Sequence, residues 1–394
     1  MNNAFKVLVI LLIISITINL IVFSYYTEKG YTIGTILDRF AEKENNLNLP
    51  KFPDMYLEDK LQLSYEKNVN NLNEFSSWKK DIQRKFMEIY ELPELNELIV
   101  HIPNEIEKSQ KDKFSIKKFI VSAQDNDKII FYELFPTEPK YITCEKEICI
   151  PAVFIIPASG NQGSSDVINL ESDYSEYYFQ DEIGEKIVEE GYLVYVIENR
   201  GWGERKIDGG LNCKIPDIYC SGNVLDRQLD NLGYNLKSLQ TIDALQVLQY
   251  IKNVNYVDQE NISVVGLSLG GAIVQNISVV DDDVNSVVIA SGMHSTYLTS
   301  GTAITPNILE YYDDPDLIST IAPKPLYLSW GIHEKSMYGY EANTLYSASK
   351  IEDAYRIHDK EENLTVVIHS HEKNGGHVYD IPSILEFLEN SIKK

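Results

Sequence analysis

Gly266-Leu267-Ser268-Leu269-Gly270 is the segment whose residue types and spacing most directly suggest chemistry. The β-branched run Ile262-Ser263-Val264-Val265 precedes it and Gly271-Ala272-Ile273, helical in character, follows, so G-x-S-x-G sits at a strand-to-helix junction. A turn that sharp strains the serine and brings neighbouring chain close, which is why glycine flanks it. The Ser268 Oγ then stands exposed at the carboxyl end of a central strand, placed to attack an acyl carbon. The five-residue pattern is weak alone; its context makes it specific.

Such a serine needs an acid and a base, in chain order Ser, acid, His. His377, in NGGHVYD, is the expected base. It follows the last predicted strand through a glycine-containing loop and precedes the helical pattern Ile384, Phe387, Leu388, Ile392. His369 and His371 in VIHSHEK are its rivals, but they lie in or at the end of that strand, where a structural histidine is commoner. His358 reads as a surface position, His333 comes too early, and His294 either lines the pocket or sits on the surface. The strand PLYLSWG ends at Gly331 and Glu334 is the first carboxylate beyond it, making Glu334 the expected acid; Glu352 and Asp353 are less suitable because they lie in an apparent helix. An oxyanion needs two backbone donors. One is expected from Leu269 and the other from Asn161, or next from Gly160, in Ser159-Gly160-Asn161-Gln162-Gly163 after the strand AVFIIPAS. No metal or organic cofactor is required.

The elements that must hold these residues are legible as texture. Between Leu61 and Ile89 apolar residues recur every three or four positions, which predicts one or two amphipathic helices packing onto the main body. Nine short runs follow as predicted strands: ELIVHI, IKKFIVSA, KIIFYELF, AVFIIPAS, YLVYVIEN, ISVVGLS, SVVIASG, PLYLSWG and TVVIHS. Several are continuously apolar, as strands covered on both faces must be, and helical patterns such as Leu236, Leu239, Ile242, Leu245, Leu248, Ile251 lie between the later ones. The expected fold is α/β, a mainly parallel doubly wound sheet whose N-terminal edge strands pair antiparallel through turns such as Gln124 to Asp127. The connection from Gly203 to Asn235 leaves near the strand carboxyl ends and could border the pocket as a lid. Trp202 and Tyr297 are either aromatic walls or ordinary packing.

With 35 Lys+Arg against 59 Asp+Glu, the formal charge of −24 opposes a nucleic-acid partner. From Val7 to Phe23 no residue is charged. This is read as an uncleaved signal anchor with the remaining chain outside, a cleaved signal peptide being the alternative. Cys144 with Cys149 and Cys213 with Cys220 form two close pairs, which favour local disulfides in an oxidising compartment over free thiols or a four-thiolate zinc site. The expected organisation is a signal segment over 1–26, a helical segment packing on the core over 27–94, and a catalytic domain over 95–394.

Taken with the elbow, the runs IPAVFIIPASG, GYLVYVIENRGWGE, TPNILEYYDDPDLISTIAPKPLYLSWG and the terminal NGGH resemble the α/β-hydrolase superfamily, in particular its dienelactone hydrolase-like and acetyl xylan esterase-like branch. The resemblance covers roughly residues 95–394. It implies that Ser268, Glu334 and His377 match the nucleophile, acid and base, and that Asn161 and Leu269 match the oxyanion donors. The chain departs from the family pattern in carrying Ser159-Gly160 where His-Gly is usual and Glu334 where Asp is usual. Glu198-Asn199-Arg200-Gly201 resembles the family's D-x-R-G turn, a structural element. The expectation is a serine hydrolase of carboxylic esters, acting on a small-molecule or carbohydrate ester as a deacetylase would. A prolyl oligopeptidase-like peptidase and a catalytically silent binding module are the alternatives, and the roughly 70 residues between the anchor and the sheet are too few for a propeller.

Overall fold

The computed structural model describes residues 61–140, 149–172, 175–207, 219–292, 305, 307–334 and 341–392. Residues 61–394 form one compact unit. The proposed anchor segment, Cys144, Cys213, His294 and Tyr297 lie outside the described residues; among the described residues no helix is long and apolar enough to cross a membrane.

Among the described residues nine strands form a single sheet: β1 (Asn104–Gln110), β2 (Phe114–Ser122), β3 (Lys128–Pro136), β4 (Ile150–Ile156), β5 (Leu193–Ile197), β6 (Val257–Leu267), β7 (Ser286–Ala290), β8 (Leu326–Gly331) and β9 (Leu364–His369). Their order is β1-β2-β3-β5-β4-β6-β7-β8-β9. The pairs from β5 through β9 are parallel, while β1 with β2, β2 with β3 and β3 with β5 are antiparallel. The β2–β3 hairpin closes through the Ala123 N–H to Asp127 carbonyl bond of 2.7 Å, with Asn126 at φ +66° in the turn. That is the expected antiparallel edge.

Every residue of β4, β5, β7 and β8 is buried. Because strand side chains alternate, Phe154 and Ile156 enter one core layer while Val153 and Ile155 enter the other. The first layer is covered by α1 (Leu72–Ile89), the second by α2 (Ile183–Glu189); α3 (Cys220–Leu232) and α4 (Leu236–Lys252) precede β6, and α5 (Leu269–Val280) follows it. Beyond β7 come α6 (Asp314–Ser319), α7 (Glu341–Arg356) and, last, α8 (Ile381–Ser391). The Asn71 carboxamide caps α1 by accepting from the Asn73 and Glu74 N–H groups. Phe75, Trp78, Ile82 and Phe86, at helical spacing, then fall on its buried face. Helix α1 is tied to α5 by Gln83 Nε2 donating to the Val279 carbonyl at 2.7 Å.

One predicted strand is displaced. ELIVHI, residues 97–102, is not a strand: Leu95–Glu97 forms a 3-10 turn, and Ile99, Val100 and Ile102 are exposed. The first strand is instead Asn104–Gln110, whose seven residues are all exposed. An edge strand with both faces in solvent needs no apolar alternation. Backbone pairing to β2 defines it, and Glu105, Glu107, Lys108 and the bulge between Glu105 and Glu107 blunt its open side.

Candidate active site

The elbow is built by crowding. Ser268 lies between β6 and α5 at φ +57°, ψ −119°, a left-handed value that a non-glycine residue adopts only when its surroundings compel it. A Cβ at Gly266 would come 2.3 Å from the Gly270 carbonyl, and one at Gly270 would come 1.9 Å from the Ile156 oxygen. Both positions therefore require glycine. The Ser268 N–H donates to the Ala290 carbonyl at 2.9 Å, which fastens the turn to the end of β7, and the side chain remains half-exposed.

The residues expected to serve as acid and base follow the next two strands outward. Glu334 lies in the turn after β8 and His377 in the loop between β9 and α8. A Cβ at Gly331 would stand 2.3 Å from the Gly376 oxygen, so the two turns meet backbone to backbone. This contact brings His377 Nδ1 within 2.6 Å of Glu334 Oε1. Ser291, just beyond β7, donates its hydroxyl to Glu334 Oε2 at 2.7 Å. Burial pushes the Glu334 carboxyl upward, but the bonds from His377 and Ser291 outweigh it and hold the group below the usual glutamate range. Since an ionised carboxylate only accepts, the His377 proton facing it resides on Nδ1 and leaves Nε2 as the free lone pair. Phe179 flanks the imidazole, with ring centroids 6.1 Å apart.

The rival residues stand elsewhere in the polar framework. His369 is buried at the end of β9, and burial followed by the charge of His371 pushes it below the ordinary histidine value. His371 is exposed and pairs with Asp380 at 3.2 Å. His333 is exposed, and Glu352 and Asp353 are exposed on α7, where both pair with Arg356. His358, expected at the surface, is half-buried and stands edge-on against Phe75 at 4.6 Å, because α1 covers it.

The loop after β4 adjoins the elbow, as the close approach of Gly270 to Ile156 requires. Gly160 has φ +144°, and Asn161 is 6% exposed. Asn199 Nδ2 donates to the Pro157 carbonyl at 2.7 Å and the Ala158 N–H donates to Gln180 Oε1 at 2.9 Å, which fix the loop from below. The Leu269 amide opens α5, where a helix offers its first N–H groups no intrahelical acceptor.

Glu198-Asn199-Arg200-Gly201 is a structural turn. Arg200 forms a fork with buried Asp243, at 3.1 Å through Nε and 2.9 Å through Nη2. Glu198 accepts the Ser164 N–H at 3.0 Å. Trp202 is packing: it is 4% exposed, and a Cβ at Gly222 would fall 1.9 Å from its ring. Residues 208–218, the middle of the expected lid, lie outside the described residues. Among the described residues, no group of three or more His, Cys, Asp and Glu is placed to hold a metal.

Sequence reasoning missed Ser291, Phe179 and the Asp166–Gln180 pair below the loop. The available signal was thin. Ser291 is a polar residue at the carboxyl end of the buried strand beside the elbow, and nothing local announces its partner.

The Abhydrolase family model matches residues 54–297, well over half of the chain and including the elbow. A curated relative, "Putative hydrolase YtaP" of Bacillus subtilis (strain 168), is 21% identical over 227 residues, 52% of this chain and 70% of the relative. The structure of "a putative acetyl xylan esterase" from Bacteroides fragilis NCTC 9343 superposes with a TM-score of 0.62 at 17% identity, covering 80% of each chain. The glucuronoyl esterase from Solibacter usitatus gives 0.57 at 12% identity, covering 82% of this chain and 95% of that one. These likenesses are of fold. With the elbow serine at the end of β6, the parallel sheet around it and the family match across both, the chain belongs to the Abhydrolase family and has the α/β-hydrolase fold.

Proposed function

We propose that the protein is a serine hydrolase of carboxylic esters in which Ser268 is the nucleophile, His377 the base and Glu334 the acid. The observation that carries this is the 2.6 Å pair between Glu334 and His377, set on the same carboxyl rim of the sheet as the strained Ser268. Ser291 links the two halves: its hydroxyl bonds Glu334, and a Cβ on its neighbour Gly292 would lie 2.8 Å from the Ser268 backbone carbonyl oxygen.

In the reaction His377 Nε2 takes the Ser268 hydroxyl proton as Oγ attacks the ester carbonyl. Glu334 stays ionised, accepts the hydrogen bond from His377 Nδ1–H throughout and stabilises the imidazolium. The amides of Asn161 and Leu269 bind the oxyanion, each worth about 3 to 4 kcal/mol of transition-state stabilisation. Collapse breaks the C–O bond, His377 returns its proton to the leaving alcohol, and water then hydrolyses the acyl-enzyme by the same sequence. The substrate class is a small-molecule or carbohydrate ester, with removal of acetyl groups from carbohydrate as the specific reading. The fold likeness to an acetyl xylan esterase and a glucuronoyl esterase supports it.

The 17-residue uncharged stretch Val7–Phe23 supports a membrane anchor with the catalytic domain outside the cytoplasm. Local disulfides pairing Cys144 with Cys149 and Cys213 with Cys220 would fit that compartment.

The test is fluorophosphonate labelling of the purified full-length chain with peptide mass mapping. The expected adduct is on Ser268 and is lost in His377→Ala. Ser268→Ala should abolish labelling and reduce ester turnover on the order of a millionfold while leaving the melting temperature unchanged. A Ser268→Ala protein retaining half its turnover would overturn the assignment; a well-folded wild type that takes no label would turn it towards a silent binding module.

A further inference from the structure

Asp166 occupies the end of the short helical turn Gly163–Asp166 that closes the loop after β4. It is wholly buried, and so is its neighbour Gln180. The Asp166 carboxylate accepts the Phe179 N–H at 2.9 Å through Oδ2 and the Gln180 N–H at 3.1 Å and 3.0 Å through its two oxygens. Gln180 in turn turns its Oε1 to the Ala158 N–H at 2.9 Å. The Asp166 carbonyl also accepts from the Glu182 N–H at 3.2 Å.

These bonds run in two directions that meet at the site. Towards the oxyanion side, Asp166 and Gln180 fix both ends of the loop carrying Gly160 and Asn161. Towards the base side, they fix the backbone of Phe179, whose ring leans on the His377 imidazole. A carboxylate in a core is costly unless it is bonded, and nothing in the packing of two helical turns requires a charge there. What the charge supplies is acceptor strength for the two N–H groups that set Phe179 and Gln180.

We propose that Asp166, acting with Gln180, is a positioning residue that couples the oxyanion loop to the His377 imidazole. The proposal rests on the ester-hydrolase reading above. Loss of the coupling leaves substrate binding almost intact and misplaces donors and base in the transition state, where a shift of about 1 Å costs on the order of a hundredfold.

The ionisation of Asp166 supplies a signature. Burial raises its pKa to about 6, against the pull of the Phe179 and Gln180 N–H groups and of the Lys373 charge. The charged or titratable groups facing it are Lys373, which pairs with Asp181, and Tyr379, both from the segment around His377. In the wild type, kcat is expected to drop as the pH falls through about 6, in part because protonated Asp166 is a poorer acceptor. The test is steady-state hydrolysis of a short-chain nitrophenyl ester by full-length wild type, Asp166→Asn and Gln180→Met from pH 4.5 to 9, with the labelling rate of Ser268 alongside.

Asp166→Asn is expected to lose 10- to 100-fold in kcat with KM within about threefold, and its acid limb loses one ionisation relative to wild type. Gln180→Met is expected to lower kcat in the same way and stands in should Asp166→Asn not fold. Unchanged kcat in either folded variant, or a loss wholly in KM, overturns the coupling. A wild type that neither turns over ester nor takes the label overturns the ester-hydrolase reading itself, and the coupling with it.

Discussion

Two glutamates at carboxyl ends of strands face opposite fates. Glu334 after β8 and Glu198 after β5 are 6% and 2% exposed, so burial alone would push both carboxyls up. Glu334 nevertheless lies below the usual range, because His377 and Ser291 each donate to one of its oxygens. Glu198 is raised to about 8: burial dominates, the Ser164 N–H opposes it only partly, and Glu204 repels a second charge. Among the described residues no cationic side chain pairs with the Glu198 carboxyl, and Gly163 and Gly203 close over it at φ +51° each. One residue type at similar depth is thus an ionised acceptor in one turn and a neutral structural group in the other. Depth does not decide the charge; the donors do.

Removing charge separates the two turns most sharply at Glu334. Glu334→Gln is expected to lower kcat about 10,000-fold at pH 7 with the fold intact, because the amide cannot hold the Nδ1 tautomer or stabilise imidazolium. An unchanged kcat in steady-state ester hydrolysis would move the acid elsewhere and dissolve the contrast. Ser291→Ala leaves the carboxylate but deletes one donor. A hydrogen bond to a charged group is worth about 1.5 to 3 kcal/mol, so a loss of up to roughly 10- to 150-fold in kcat is expected, with the acid limb of the pH profile shifted upward. An unmoved profile would show that His377 alone sets the Glu334 charge.

The smallest effect belongs to the other turn. Glu198→Gln replaces one neutral group by another of the same shape at pH 7, and ester turnover is expected to stay within about threefold. Its signature is in stability. Between pH 4.5 and about 8 the folded protein retains a proton that the unfolded chain has released, so wild-type stability falls as pH rises through that window. Glu198→Gln removes this contribution, and urea unfolding at pH 5 and pH 8 should show a smaller decline in the variant. Equal declines would mean that Glu198 is ionised in the folded protein, which breaks the comparison from its other side.

Much of this molecule follows from local pattern. The apolar runs of β4, β5, β7 and β8 and the helical spacing through Phe75, Trp78, Ile82 and Phe86 report burial directly, since a strand covered on both faces and a helix covered on one need apolar residues at those periods. Gly266, Ser268 and Gly270 are legible because they form a five-residue pattern, even though the close approach that requires Gly270 comes from the distant Ile156. The exposed strand β1 had no such signature, because its definition lies in the backbone bonds of β2, and the apolar run ELIVHI beside it drew the expectation to the wrong residues.

Amino-acid sequence by itself determined the elbow, the alternation of strand and helix, and the short set of acids and histidines downstream from which Glu334 and His377 were chosen. Only the tertiary structure decided which groups meet. Ser291 reaches Glu334 across 43 positions, as His377 does, and Phe179 faces an imidazole nearly 200 residues further along the chain. The reason is physical: parallel strands deliver their carboxyl ends to one rim from distant parts of the chain, and hydrogen-bond partners there are selected by Gly331–Gly376 contact and sheet register rather than by any spacing along the sequence.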